Sequence, residues 1–210
     1  TLPDGSVKEY DDGITALDIA QSISPRLRKA TYAAEIDGVR SDAFTQLHGD
    51  HTVKLLTFAD EGGRWTYRHT ASHMLAQAVK RLFPNAKVTI GPAIEEGFYY
   101  DFDTPPFSRE DLDNLEKEMK KIIKEGHAIT RFTLPKAEAI KFMQEKDEPY
   151  KVELIEALPD DAVISFYDQG EFVDLCAGPH LMNTKGIKAY KLISSSMAYF
   201  SFSRHQKILV

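Results

Sequence analysis

Two short clusters in the chain contain the residue types that metal binding and acid–base catalysis require. His69 and His73 stand four residues apart, so their imidazoles would lie one above the other on a helix. Further along, the only cysteine of the chain, Cys176, is followed four residues later by His180 and preceded two residues earlier by Asp174. If the two clusters converge, they bring three imidazoles, a thiol and a carboxylate into one place.

The residue types alone leave three kinds of site open. Imidazoles and a thiolate are good zinc ligands, and a carboxylate such as Asp174 could orient one of them. Alternatively, a histidine could activate the thiol of Cys176 as a nucleophile. In the third kind of site no metal is bound, and the histidines together with a charged group position an attacking water. Two histidines four residues apart can also be solvated side chains, but the second cluster argues against that interpretation.

The first cluster lies on a predicted helix over residues 68–82. Thr66 is placed to cap its N-terminus, and Pro84 is expected to end it. The spacing predicts a helix that buries one face and presents His69 and His73 on the other. The buried face is an apolar stripe at helical spacing, formed by Ala71, Met74, Leu75, Ala78, Val79 and Leu82.

The second cluster follows a predicted β-hairpin whose turn lies at residues 168–170. Side chains alternate along a strand, so Asp174 and Cys176 are expected on the same face. The Gly-Pro step after Ala177 then turns the chain sharply, which lets His180 fold back beside the end of the strand. The hairpin is therefore expected to gather a carboxylate, a thiol and an imidazole.

The pattern along the whole chain predicts an α+β protein with two domains. Residues 1–59 have the order of a small ubiquitin-like β-grasp domain, with two strands, a helix and three further strands. A Pro-Asp-Gly turn signal predicts a pair of short strands within residues 2–10, and Asp37-Gly38 predicts a second hairpin. Thr15 and Asp18 have the spacing of a capping box at the start of the helix. Residues 59–63 include two adjacent glycines and two acidic residues, which is typical of a linker. Residues 64–210 are expected to form a larger α+β domain in which a central histidine-bearing helix packs against a β-sheet.

Within the larger domain, strands are predicted at residues 87–90 and 98–102. Tyr99 and Tyr100 must point to opposite faces of the second strand, so at least one of them could reach a pocket. Helices are predicted at residues 108–125, 135–144 and 149–156. Ser108 and Asp111 have the spacing of a capping box at the start of the first of these helices, and Gly126 is expected to end it.

The composition is that of a globular protein and also indicates the cellular compartment in which the protein is expected. The 210 residues contain no apolar run long enough to span a membrane. The first residues are neither basic nor apolar, so no signal peptide is recognised, and a single cysteine cannot form an internal disulfide. These features predict a reducing, cytoplasmic setting.

The distribution of charge leaves two interpretations open. The net charge of -6 argues against non-specific nucleic-acid binding by the chain as a whole. However, residues 175–210 contain no Asp or Glu, so this segment could face phosphates or could be an ordinary solvated edge. Its basic residues are Lys185, Lys188, Lys191, Arg204 and Lys207.

These residues belong to stretches that resemble the N-terminal part of bacterial-type threonyl-tRNA synthetases, and the resemblance covers nearly the full length. Residues 1–58, with Leu-Pro-Asp-Gly-Ser directly after Thr1, resemble the TGS domain that opens those enzymes. Four blocks resemble their editing domain: Arg-His-Thr-Ala-Ser-His at 68–73, Ile-Gly-Pro-Ala-Ile-Glu-Glu-Gly-Phe-Tyr-Tyr-Asp at 90–101, Tyr-Lys-Val-Glu-Leu at 150–154 and Asp-Leu-Cys-Ala-Gly-Pro-His at 174–180. After Tyr199 the chain departs from the pattern expected of the family.

The resemblance implies proofreading. Such synthetases attach threonine to tRNA(Thr) but sometimes attach serine, and their editing domain hydrolyses the resulting seryl-tRNA. Four residues would line the hydrolytic pocket: His69, His73, Cys176 and His180. By the same resemblance Lys151 would contact or activate the water, and Tyr100 and Asp174 would help to position the substrate. The family site is thought to work without a metal, so the resemblance favours the metal-free kind of site.

The resemblance also implies which cofactors and partners to expect. The residues present here would need no cofactor, because the ATP, Mg²⁺ and Zn²⁺ of such enzymes belong to an aminoacylation core that is expected to be absent from this chain. The expected partners are the acceptor end of tRNA(Thr) carrying serine and that core, with no membrane. Two alternatives are a zinc-dependent editing domain of the alanyl-tRNA type, which lacks a TGS unit, and a non-catalytic tRNA-binding module.

Overall fold

The computed structural model describes residues 5–200 and 207–209, with side chains up to residue 197, and it has the predicted α+β architecture. The helices are α1 (Ala16–Ile23), α2 (Pro25–Ala30), α3 (Glu61–Leu82), α4 (Arg109–Glu125), α5 (Lys136–Glu145) and α6 (Pro149–Glu156), with a 3₁₀ turn at Thr184–Gly186. The strands are β1 (Thr31–Ile36), β2 (Val39–Asp42), β3 (Val53–Thr57), β4 (Lys87–Val88), β5 (Ala93–Ile94), β6 (Gly97–Phe98), β7 (Phe102–Asp103), β8 (Thr130–Leu134), β9 (Ile164–Gln169), β10 (Phe172–Leu175), β11 (Ala198–Phe200) and β12 (Lys207–Leu209). Within this described part, no helix is both long and apolar enough to cross a membrane.

The first domain is built on a three-stranded antiparallel sheet in the order β2-β1-β3. Asp37 and Gly38 join β1 to β2 with φ angles of 50° and 81°, which suit a two-residue hairpin turn. Thr15 forms the predicted capping box at the start of α1, and this helix packs on the sheet through Ala16 and Ile19. These elements agree with the predicted β-grasp arrangement.

The two strands predicted within residues 2–10 are not found where the structure describes this segment. Residues 5–10 carry no strand, and residues 1–4 lie outside the described part of the chain. Val7 is 75% exposed, so this apolar residue of the segment does not face the core. A turn signal by itself does not hold two strands together, because an isolated hairpin is only marginally stable in water.

The helix α3 begins at Glu61, well before the start predicted for it. The linker predicted at residues 59–63 is therefore wrong from Glu61 onward, and Thr66 is not the N-cap. Thr66 lies inside the helix, where its hydroxyl donates to a carbonyl oxygen one turn earlier. The glycines serve close packing, because a Cβ on Gly63 would lie 1.9 Å from the carbonyl oxygen of Thr57 at the end of β3.

The helix α3 is also the central element of the fold and is buried on nearly all sides. It contacts β1 and β3 of the first sheet as well as α4, β5 and β6. Ala71 and Met74 of the predicted apolar stripe are buried, whereas Leu82 at the end of the helix is 40% exposed. The prediction that His69 and His73 face outward is wrong, since they are only 7% and 4% exposed. Periodicity could not reveal this burial, because it treats a histidine face as polar even when a second layer covers it.

The larger domain contains a second antiparallel sheet in the order β10-β9-β8. This sheet packs against α5 and α6 through a cluster that includes Met143, Ile155 and Phe166. On the other side of the domain α4 packs along α3. As predicted, Ser108 caps α4 with a capping box and Gly126 ends it in the left-handed conformation, with φ 72°.

The strands predicted at residues 87–90 and 98–102 are shorter than expected. The strand β4 pairs with β7, whereas β5 pairs with β6 in a separate two-residue ladder. The aromatic run thus crosses from one ladder to the other instead of lying in one strand. Tyr99 is 42% exposed and Tyr100 is 5% exposed, so the two side chains do point in opposite directions.

The basic segment after residue 175 is partly tied to neighbouring groups. Nζ of Lys191 lies 2.8 Å from Oε1 of Glu116 on α4, and Nζ of Lys188 donates to the carbonyl oxygen of Lys185. Arg204 and the side chain of Lys207 lie outside the described residues. Two of its lysines therefore already bind groups of the chain itself.

Candidate functional site

The two clusters of the sequence meet between α3 and the loop that follows β10. Sγ of Cys176 lies 3.3 Å from Nε2 of His69 and 3.3 Å from Nε2 of His180. The ring centroid of His180 is 4.2 Å from that of His69 and 4.2 Å from that of His73. One possible ligand atom from each of the four residues lies within 4.8 Å of the others. The predicted convergence of the two clusters is therefore confirmed.

Helical spacing and one tight loop create this arrangement. His69 and His73 follow each other by one turn of α3, so both side chains lie on the same side of it. After β10 ends, Gly178 takes a φ of 75°, which glycine adopts without steric cost. A Cβ here would lie 1.9 Å from the hydroxyl oxygen of Tyr167, so only glycine lets the loop pack this closely. The loop thereby returns His180 to the imidazoles of α3.

Hydrogen bonds at Nδ1 fix the tautomers of two of the imidazoles. Nδ1 of His69 lies 3.3 Å from the carbonyl oxygen of Pro179, which can only accept, so this nitrogen carries the proton. The hydroxyl of Thr70 donates its single proton to a carbonyl oxygen in α3, so it accepts from Nδ1 of His180 at 3.3 Å. Both Nε2 atoms are left as lone-pair acceptors facing one thiol. Since that thiol has a single proton, one imidazole lone pair remains available to a water, a substrate or a metal.

A buried ion pair adjoins the imidazoles. Nζ of Lys151 lies 2.7 Å from Oδ1 of Asp174, and their side chains are 3% and 2% exposed. The hydroxyl of Tyr100 donates to Oδ2 of the same carboxylate at 2.5 Å and lies 3.2 Å from Nζ. Nε2 of His73 is 3.6 Å from this Oδ2. The site therefore holds one fixed positive and one fixed negative charge beside the imidazoles.

Burial keeps the imidazoles uncharged at neutral pH. It lowers the pKa of His69 to about 3 and the pKa of His73 to about 4. Burial, followed by the charges of the two neighbouring imidazoles, also lowers the pKa of His180 well below its ordinary value. The three rings can therefore exchange hydrogen bonds with a polar ligand without carrying a charge themselves.

Burial raises the pKa of both the carboxyl and the thiol, but only for the carboxyl do its neighbours reverse the shift. Burial is the largest single influence on Asp174, yet the nearby Lys151 and His73 and the hydrogen bonds from Lys151 and Tyr100 together outweigh it, so the pKa of Asp174 lies below its ordinary value. Burial raises the pKa of Cys176 to about 12, and the neighbouring Asp174 carboxylate acts in the same direction. Cys176 is therefore a thiol at neutral pH, which removes the thiolate that nucleophilic catalysis requires.

The structure places every residue that the sequence pointed to within this one site. These residues are His69, His73, Tyr100, Lys151, Asp174, Cys176 and His180. Three contributing residues were missed: Thr70, Tyr167 and Asp42. Thr70 could have been suspected from its place on α3 directly after His69. Asp42 gave no signal, because no local pattern connects the first domain with this site.

The four residues His69, His73, Cys176 and His180 could also hold a metal ion. Their atom types and separations suit Zn²⁺, and hydrogen bonds at Nδ1 are the kind that orient metal-bound imidazoles. The Lys151 ammonium opposes a nearby divalent cation, because like charges repel strongly at low polarity. Its charge already contributes to the lowered pKa values of His69 and His73.

One cavity lies in the first domain and another beside Tyr100. The first, of 760 Å³, is lined by residues such as Val7 and His51 and by none of the imidazoles. A second cavity of 250 Å³ is bordered by Tyr100 and by aromatic side chains that include Phe98 and Phe107. Tyr100 is the residue that this cavity shares with the site, and its hydroxyl contacts Asp174.

Comparison with known families matches the two ends of the chain separately. Residues 1–57 match the TGS domain. Residues 164–207 match the second additional domain of threonyl and alanyl tRNA synthetases. The second match contains Asp174, Cys176 and His180.

Relatives match the chain over its whole length. It is 59% identical over 210 residues to the threonine–tRNA ligase of Acetivibrio thermocellus, and 56% identical over 210 residues to that of Clostridium botulinum strain Kyoto. In both cases all of this chain is covered, but it spans only 33% of the relative. The similarity therefore concerns one region of these longer proteins.

Proposed function

We propose that this chain, which is homologous to the N-terminal region of threonine–tRNA ligases, hydrolyses seryl-tRNA(Thr) that a synthetase has charged in error. The observation that carries the proposal is the cluster of neutral imidazoles beside the buried Lys151–Asp174 pair. In this proposal residues 1–59 are the TGS domain and residues 64–210 are the editing domain.

The reaction needs a positioned water more than it needs a strong nucleophile. An aminoacyl ester is already activated, so orientation of the water and stabilisation of the developing oxyanion supply most of the acceleration. The Nδ1 proton of His69 is engaged by Pro179. When the Cys176 thiol donates its single proton to His180, Nε2 of His69 is free to accept a hydrogen bond from the attacking water. As the water oxygen bonds to the ester carbon, its proton passes to the departing ribose oxygen and serine is released.

Lys151 supplies the positive charge for this reaction. Two of its three N–H groups face Asp174 and Tyr100, and among the described residues the third has no partner and can donate to the water or to the ester carbonyl oxygen. Asp174 and Tyr100 hold the ammonium in place and offer oxygens to the polar groups of a seryl substrate. His73, His180 and Cys176 form the wall behind the reacting atoms.

The same wall provides selectivity against threonine. Serine lacks one methyl group, and a synthetic pocket rejects such a difference by only about 1–3 kcal/mol, roughly 10–200-fold. A second site that excludes the larger threonine side chain can hydrolyse the seryl esters that the synthetic pocket fails to prevent. The imidazole rings pack with centroids 4.2 Å apart, and such a wall cannot yield to an extra methyl group without strain.

The longer protein and its setting belong to the same proposal. The whole enzyme would ligate threonine to tRNA(Thr) with ATP, in a core outside this chain that also binds Mg²⁺ and Zn²⁺. The acceptor end of tRNA(Thr) carrying serine would enter beside Tyr100, where the 250 Å³ cavity lies. The protein would act in the cytoplasm, and the editing reaction itself would use no cofactor.

A zinc-dependent version of the reaction is the second candidate. The observation that favours it is the grouping of four possible ligand atoms within 4.8 Å. The residues that would hold the ion are His69, His73, Cys176 and His180, and bound Zn²⁺ would lower the pKa of a coordinated water towards neutrality. The neighbouring Lys151 ammonium is the reason that the metal-free version is preferred.

The proposal is tested by adding the chain to seryl-tRNA(Thr) and, separately, to threonyl-tRNA(Thr), and following the loss of each ester. We expect rapid loss of the serine ester and little loss of the threonine ester above the spontaneous rate. His69→Ala and Lys151→Ala should each slow the loss, and the proposal is wrong if both variants leave seryl-tRNA hydrolysis intact. Equal rates for the two esters would contradict the assigned selectivity.

A further inference from the structure

Asp42, at the end of β2 in the first domain, reaches into the site of the larger domain. Its Oδ1 accepts the backbone N–H of His180 at 2.8 Å, and its Oδ2 accepts the hydroxyl of Tyr167 at 2.7 Å. The residue is only 4% exposed. Both carboxylate oxygens are thus directed at the loop that carries the second half of the imidazole cluster.

Tyr167 connects the Asp42 carboxylate to the ring of His180. Its own ring lies 4.5 Å from the imidazole, with an edge-on angle of 63° between the planes. Its hydroxyl oxygen also sits where a side chain on Gly178 would have to be. Asp42 and Tyr167 therefore hold the loop from the backbone of His180 on one side and from its ring on the other.

A second contact between the domains reaches His69. The guanidinium of Arg40, also on β2, lies 4.8 Å from the ring centre of Trp65, and the Trp65 ring lies 4.5 Å from that of His69. Residues of β2 therefore contact both parts of the site. Asp42 contacts the loop that carries His180, and Arg40 contacts Trp65, which packs against His69 on α3. An interface that only joined two independent domains would not need to touch both halves.

We propose that Asp42 is a positioning residue for hydrolysis, so that the first domain completes the editing site and is more than an attachment to it. This inference rests on the proposed function. By fixing the backbone of His180, Asp42 sets the place of the Nε2 atom that lies 3.3 Å from Cys176 and thereby the wall behind the reacting ester. Displacement of that wall would slow the reaction with little effect on how the tRNA binds.

The test compares Asp42→Ala, Asp42→Asn and Tyr167→Phe in the full chain, with seryl-tRNA hydrolysis measured over a range of substrate concentrations. Asn can still accept from the His180 N–H through its carbonyl oxygen and can donate to the Tyr167 oxygen. Asp37→Asn is the matched control, because Asp37 lies in the same domain and also accepts two hydrogen bonds, from His51 and from the backbone of Thr52.

We expect Asp42→Ala to lower kcat roughly 10- to 100-fold with KM within about twofold, because a shift of about 1 Å in the wall would misplace the reacting ester, and misplacements of this size have such effects. Tyr167→Phe should lower kcat less, and Asp42→Asn should recover most of the activity lost in Asp42→Ala. Asp37→Asn should match the native chain. Circular dichroism and the thermal midpoint Tm would establish that each variant is folded.

The inference is overturned if folded Asp42→Ala and Tyr167→Phe retain the native kcat, even when their Tm is lower, because the contact would then be structural only. If Asp42→Ala does not fold, the kcat of Tyr167→Phe decides the matter alone. Failure of the native chain to hydrolyse seryl-tRNA would instead contradict the proposed function, so the two failures are distinguishable.

Discussion

Lys151 and Asp174 form an ion pair that is almost completely buried, with 2.7 Å between Nζ and Oδ1. Removing one member of such a pair leaves an uncompensated charge in a poorly hydrated place. Lys151→Ala is therefore expected to lower the free energy of unfolding by about 3–5 kcal/mol, as is usual when a buried pair is broken. Urea denaturation at pH 7.5 measures this change.

The control for this prediction is Lys141→Ala. Lys141 lies 3.8 Å from Glu145 on the surface of α5, and both side chains are mostly exposed. Its loss should change the free energy of unfolding by less than about 1 kcal/mol. Equal effects of the two substitutions would mean that Lys151 and Asp174 are more hydrated than their burial indicates.

Stability should fall between pH 7 and pH 4 because of the buried imidazoles. The pKa values of His69 and His73 are lowered from 6.5 to about 3 and about 4, so between these values the unfolded chain binds more protons than the folded one. The stability that these two imidazoles contribute by staying neutral in the folded chain is therefore fully present above pH 7 and is lost as the pH falls towards 4. Urea denaturation at pH 7.5, 6 and 5 should reveal the decline.

Replacement of the buried imidazoles provides the control for this pH dependence. His73→Gln should flatten the decline, whereas His48→Gln, at a side chain that is 64% exposed, should leave it unchanged. A decline that is as steep in His73→Gln as in the native chain would show that other groups cause it.

Cys176 should react slowly with thiol reagents in the folded protein. Its pKa is raised to about 12, chiefly by burial, so very little thiolate is present at pH 7.5. With a chelator present, alkylation should be much faster after unfolding in urea than before it. A folded chain that reacts faster than the unfolded one would contain an activated thiolate, and the nucleophilic mechanism would have to be reconsidered.

Gly63→Ala should be destabilising, because the added Cβ would meet the carbonyl oxygen of Thr57 at 1.9 Å. Overpacking of this kind costs about 1–3 kcal/mol, and here it would separate α3 from the first sheet. Gly97→Ala is the matched control, since apart from its two chain neighbours no atom of the described residues lies within 4 Å of the position of its Cβ. Similar midpoints for the two variants in a urea titration would contradict this account of how the domains are joined.

Much of the fold could be predicted from the sequence where local chemistry decides the structure. The capping boxes at Thr15 and Ser108 and the hairpin at Asp37 and Gly38 are formed as expected. The start of α3 could not be predicted, because adjacent glycines usually favour a flexible linker. Here Gly63 is needed for close approach to β3, which is a tertiary requirement that the local pattern does not contain.

The members of the candidate site could be predicted, but not their environment. Spacing and the resemblance to synthetases led to all seven residues, whereas the amphipathic pattern placed His69 and His73 on an outer face. Their burial comes from the loop around His180 and from Tyr100 and Phe172, all distant in sequence. Asp42 was missed for the same reason, since its contact with His180 joins residues of different domains.

The most direct test of the central claim is single-turnover hydrolysis of seryl-tRNA(Thr) by the chain after its metal content has been measured, with and without a strong chelator. The account predicts less than stoichiometric metal and an unchanged rate in the chelator, since neutral imidazoles and Lys151 suffice to position the water. Stoichiometric zinc together with loss of activity in the chelator would contradict it and would assign the four residues His69, His73, Cys176 and His180 to a metal centre.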